Sequence, residues 1–192
     1  MPIIAADGKV YASAYDCALS FGFRLCGVRY APWRESNSDN SGAPLWMCHA
    51  LPSMDVLMED GMNCTGFVNV LSLAIGGEAH FDWFAFLAAR DVLEKYDRDV
   101  LYPVGTLLLR GYTDEDDQGH VAFLAWGTTI MHSYARLTED QSFVDILEGS
   151  SSKLDPGVTT EDVCHSHSWY KGGTYTHVCR PANWMPSTYS PL

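Results

Sequence analysis

Basic residues are scarce in this chain: 12 Lys and Arg stand against 24 Asp and Glu, a formal net charge of −12 over 192 residues. Phosphate and anionic-membrane recognition need a concentrated basic patch, so nucleic acid and charged lipid surfaces are set aside as partners. Long apolar runs are missing too. No stretch approaches the ~18 consecutive apolar residues of a membrane span. Met1 to Asp7 lacks the basic start and apolar middle of a signal peptide, so the chain reads either as cytosolic or as the mature form of a secreted protein. Six cysteines are too few for a disulfide framework at this length. Cys164 and Cys179 flank a Gly-Gly turn and could be joined. Metal patterns are absent as well. Cys164-His165-Ser166-His167 with His177 and Cys179 offers soft ligands, but the spacing fits no zinc site and favours a disulfide or a surface cluster. Asp114-Glu115-Asp116-Asp117 lacks the alternating ligands and closing Glu of a calcium loop. No metal and no cofactor is expected.

What is present is an ordinary globular balance, 47% hydrophobic and 19% charged, enough for one domain with a real core. Ala14, Cys17, Ala18, Phe21, Gly22 and Leu25 share one helical face, closed by Gly27. Glu35 to Gly42 reads as an exposed loop, and a short helix is expected around Met54 to Met58. A helix follows Cys64, with Phe67, Val70, Leu71, Ala74 and Ile75 inward and Gly76-Gly77 as its stop. Another is expected over Phe81 to Leu93, with Phe81, Phe84, Ala85, Ala88 and Val92 inward. After Pro103 the period changes to that of strands: Gly105 to Arg110, His120 to Trp126, Thr129 to Tyr134 and Tyr175 to Arg180. Helices first and an antiparallel sheet afterwards is the α+β pattern. Residues 1–192 are read as a single domain, with a loop insertion at 139–173 and an irregular tail at 181–192.

The chemistry concentrates at Asn63-Cys64-Thr65-Gly66-Phe67-Val68. A thiol where a Gly- and Asp-rich loop meets a helix start feels the positive end of the macrodipole, which is expected to lower its pKa. A cysteine hydrolase also needs an imidazole to move the proton and a third group to orient that imidazole. His120 opens an apolar strand directly after Gly119, where a polar side chain can face a cleft. His132 lies on the next strand of the hairpin, within cross-strand reach. Trp33, Trp46, Trp83 and Trp126 could line a glycan cleft, although tryptophans at this chain length mostly build core.

Gly27-Val28-Arg29-Tyr30, Asn63-Cys64-Thr65-Gly66-Phe67-Val68, Gly119-His120-Val121-Ala122 and Met131-His132-Ser133 together resemble, in that order, the NlpC/P60 cysteine peptidases, papain-fold enzymes that cut bacterial cell-wall peptides. The likeness runs from about Ala12 to Tyr134. The family usually carries Asp-Cys-Ser-Gly-Phe. Asn63 and Thr65 depart from it toward the Asn-Cys-Ser-Gly-Phe of secreted amidase toxins in the same superfamily, and both remain short polar residues suited to a helix start. The resemblance implies Cys64 as nucleophile, His120 as general base and acid, and His132 as the residue fixing the His120 tautomer. Tyr30 would hold the oxyanion with the Cys64 backbone N–H, and Asn63 and Thr65 would flank the substrate. It further implies hydrolysis of peptidoglycan stem peptides of the D,L-endopeptidase type through a thioester acyl-enzyme, a secreted location with a cytoplasmic one left open, and an inhibitor or immunity protein as a partner. Three rivals stand beside it. The first is a thiol acyltransferase acting on a non-wall amide or lipid, against which the order of Cys64 before His120 argues. The second is a non-catalytic binding module. The third is a secreted amidase toxin or effector.

Overall fold

A computed structural model describes residues 2–26, 28, 51–97, 99–111, 119–126, 129–134, 136–137, 143–144, 157–162 and 175–186. For residues 60, 129, 131–134, 136–137, 143–144 and 157–162 it describes the backbone alone. Among the described residues the fold is mixed, with four α-helices and antiparallel sheets. The helices are α1 (Ala14–Leu25), α2 (Met54–Asp60), α3 (Cys64–Ala74) and α4 (Trp83–Ala89). Each is started by a short polar side chain that accepts a first-turn N–H, as orphan amides at helix starts require. Ser13 caps Asp16, Ser53 caps Val56, Asn63 caps Gly66 and Asp82 caps Ala85.

The expected stripe of α1 is the buried one, residue for residue; the helix ends at Leu25, and Gly27 lies outside the described residues. Helix α3 is buried from Gly66 to Ala74 on every side, so it is the central helix of the fold. It stops where expected, at Gly76 with φ of 81°, a backbone turn that glycine adopts without Cβ strain. Helix α4 is shorter than Phe81–Leu93 and turns a different face inward. Trp83 and Leu87, one helical turn apart, are buried, whereas Phe81, Ala85 and Ala88 are exposed. An indole that can reach a buried acceptor wins the inner position over alanines that bury little area. That acceptor is Asn69 of α3, whose Oδ1 takes the Trp83 Nε1–H at 2.8 Å.

Ten strands are present among the described residues: β1 (Ile3–Ile4), β2 (Val10–Tyr11), β3 (Glu94–Lys95), β4 (Leu107–Arg110), β5 (His120–Trp126), β6 (Thr129–Tyr134), β7 (Arg136–Leu137), β8 (Phe143–Val144), β9 (Gly157–Asp162) and β10 (His177–Cys179). Six form the main sheet in the order β3-β10-β4-β5-β6-β9, all antiparallel. Two expectations are corrected here. Gly157–Asp162, read as part of a long loop, is the edge strand beside β6, where Val158-Thr159-Thr160 supplies the β-branched residues a strand favours. The tail beyond Arg180 does not begin irregularly. Pro181–Asn183 forms a 3₁₀ turn, and Trp184 enters the core with its Nε1–H on the Gly105 carbonyl at 2.9 Å. Cys179 is a free buried thiol, and Cys164, with which it could be joined, lies outside the described residues.

Strand β5 is interior, and His120 to Ala125 are all buried. Alternation sends Val121, Phe123 and Ala125 toward α1, α3 and α4, in one cluster with Leu107 and Leu109. Ala122 and Leu124 join a smaller cluster on the opposite face with Leu108, Ile130, Tyr175 and Val178. The Tyr15 hydroxyl donates to the Ala125 carbonyl and so ties α1 to the far end of β5. Among the described residues no helix is long and apolar enough to cross a membrane.

Candidate functional site

The N-terminus of α3 abuts the first residues of β5, and this junction gathers the chemistry. The Asn63 Oδ1 accepts the Gly66 N–H at 2.8 Å, so its side chain is engaged as the helix cap. Cys64, the next residue, packs against the core cluster that contains Val121, the neighbour of His120 in β5.

The expected lowering of the Cys64 pKa is reversed. Burial pushes the thiol above its ordinary value and outweighs the hydrogen bonds from Val121, Thr65 and Cys64 that favour the thiolate. Cys64 keeps some exposed surface, yet protein crowds its sulfur on most sides. The dipole argument presumes a helix start in water, whereas a helix buried all round disfavours the charged sulfur through desolvation.

A pocket enclosing about 250 Å³, its open mouth included, is lined by Thr65, Asp82, Trp83, Phe84, Leu109, Arg110, Gly119, His120 and Val121. It sits where β4 ends and β5 begins, against the starts of α3 and α4. Arg110 and His120 are register partners, and both are buried, each 7% exposed. Phe84 closes one wall by lying over Gly111, where a Cβ would come within 2.9 Å of the ring. The His120 ring stacks on Tyr175, with centroids 6.0 Å apart and planes 28° from parallel.

Thr65 and His120 therefore share one pocket, and Cys64 is joined to β5 beside it. His132 lies on β6 as expected, one position beyond the Met131 that pairs with Phe123, and strand alternation puts it in phase with Ala122 and His120. Tyr30, Trp33, Trp46, Asp114 to Asp117 and Cys164 to His167 lie outside the described residues. Trp83 is core, and Trp126 is an exposed end-of-strand residue stacked on Phe23 at 5.6 Å.

Sequence reasoning missed Asp82, Arg110 and Tyr175. Asp82 carried a signal, as an Asp directly ahead of the run Trp83 to Ala89 reads as a helix cap. Arg110 also carried one, being a lone charge that ends an apolar strand. Tyr175 carried none, because its neighbour His120 is far away in the chain. Among the described residues no group of His, Cys, Asp and Glu could hold a metal ion. Comparison with protein-family models, with curated proteins and with solved structures returns no match in any of the three.

Proposed function

We propose that the protein is a cysteine hydrolase of the NlpC/P60 type that cleaves amide bonds in peptidoglycan stem peptides. The observation that carries this reading is the pocket that Thr65, next to Cys64 at the start of α3, lines together with His120 and Val121 at the start of β5. Cys64 itself packs against the core cluster that includes Val121. The ordered resemblance of the four motifs supplies the substrate class, the papain-like form of the α+β fold and the secreted location.

The raised thiol pKa shapes the mechanism. A thiol that holds its proton at neutral pH is a poor nucleophile until a base removes it, so His120 takes that proton as Cys64 attacks the carbonyl. The N–H groups of Cys64 and Thr65 at the helix start are donors suited to the developing oxyanion. His120 then protonates the departing amine. Water activated by the same imidazole attacks the thioester, and the acid leaves.

The test is digestion of purified muropeptides by the wild type, Cys64→Ala and His120→Ala, followed by mass spectrometry. Cleavage by the wild type alone is the expected result. A wild type inactive on every wall chemotype would overturn the peptidoglycan assignment. A fully active Cys64→Ala protein would overturn the nucleophile.

A further inference from the structure

We propose that Tyr175 is a positioning residue for His120, an inference that rests on the hydrolase reading above. Both rings are buried, Tyr175 at 6% and His120 at 7% exposure, and they form an offset stack. Tyr175 lies just ahead of β10, and the chain there is held by the Thr176 N–H on the Leu109 carbonyl at 2.9 Å. It reaches His120 across β4, from a part of the chain separate from the nucleophile helix and the β5 hairpin.

The stack is backed in depth. Tyr96 meets Tyr175 edge-on at 6.4 Å, and Tyr102 stacks on Tyr96 at 5.9 Å. Tyr102 is itself anchored, its hydroxyl accepting the Asp97 N–H at 2.8 Å. A row of rings therefore runs from β3 to the imidazole. Aromatic rings prefer such offset and edge-on arrangements, so each ring limits the rotation of the next. Packing a ring against the imidazole on one side limits its tilt, while His120 still lines the pocket. A base must stay within hydrogen-bond reach of the proton it moves, and a displacement of 1 Å costs about 10²-fold in rate. The other polar groups sharing the pocket with His120 are Arg110 from β4, Asp82 ahead of α4 and Thr65 from α3, and Cys64 packs on the core cluster that includes the pocket residue Val121.

The experiment compares wild type, Tyr175→Phe and Tyr175→Leu with two readouts. One is the pH profile of Cys64 alkylation by iodoacetamide, followed on the Cys64 peptide by mass spectrometry. The other is the chemical shift of the His120 ring protons, with thermal melting as the folding control. Tyr175→Phe keeps the ring and should stay within about twofold of wild type. Tyr175→Leu should move the His120 protons downfield as the ring current is lost. It should also slow alkylation on the neutral limb by about 10-fold or more and lower kcat on muropeptides with little change in KM. Tyr96→Leu, one ring further back, should move both readouts the same way and less. A folded Tyr175→Leu protein with unchanged His120 resonances and an unchanged alkylation profile overturns the proposal. Resonances that move while His120→Ala leaves Cys64 alkylation untouched would instead sink the pairing of His120 with Cys64, and the hydrolase reading with it.

Discussion

Asn69 is the sharpest place to test the energetics that shape the pocket wall. Its side chain is fully buried in α3. Oδ1 accepts the Trp83 Nε1–H at 2.8 Å and the His80 N–H at 2.9 Å, and Nδ2 donates to the His80 carbonyl at 3.1 Å. Asn69→Leu nearly preserves volume and removes all three bonds. The indole N–H is then orphaned in a dry site, which costs about 1–3 kcal/mol, and the part-buried His80 groups add a smaller share because water can reach them. The added apolar burial returns roughly 1 kcal/mol, for a net loss of about 2 kcal/mol. At this chain length that corresponds to a fall in Tm of about 4–8 °C. Urea unfolding should show a lower midpoint with an unchanged m-value. Because Trp83 and Phe84 line the pocket, Cys64 alkylation should change as well. A destabilisation below about 1 kcal/mol would mean that the three hydrogen bonds contribute little beyond packing, and the account of α4's inward face would be wrong.

Two further outcomes follow from named groups. Asn63→Ala removes the acceptor of the Gly66 N–H and should cost about 1 kcal/mol in urea unfolding, while Asn63→Asp should retain the cap and raise the Cys64 pKa further through its charge. Burial pushes the Cys17 and Cys179 thiols up to about 12, from an ordinary value of 9. The unfolded chain therefore releases these protons first. Their contribution to stability is complete below pH 9 and is lost as pH rises toward 12. Urea midpoints measured from pH 7.5 to 10.5 should fall, and fall less steeply in Cys179→Ala.

Periodicity made the middle of the fold legible. The α1 stripe, the α3 span and the bounds of β5 and β6 all follow from apolar spacing, because these elements bury enough surface for the pattern to dominate. What escaped were elements whose existence depends on a distant partner. Glu94–Lys95 is a strand only because β10 lies beside it, and Gly157–Asp162 only because β6 does. The inward face of α4 was misread for a related reason. Its orientation is set by a hydrogen bond to Asn69, a polar residue that hydrophobic spacing ignores. The thiol and the imidazole were visible as motifs. The electrostatic sign at Cys64 was not, since it depends on how deeply α3 is enclosed, and that is a tertiary property.

Neighbouring residues of β5 serve opposite layers of the molecule. Val121 joins the core on the helical side, against which Cys64 packs, and His120 stacks with Tyr175 of the other face. The sheet thus acts as a partition between the layer on which Cys64 packs and the layer in which His120 stacks. Opening the helical layer exposes the thiol and removes the burial that raises its pKa, so Cys64 alkylation should accelerate. That acceleration should coincide with the cooperative unfolding of the whole domain, and the thiol becomes a reporter of global integrity.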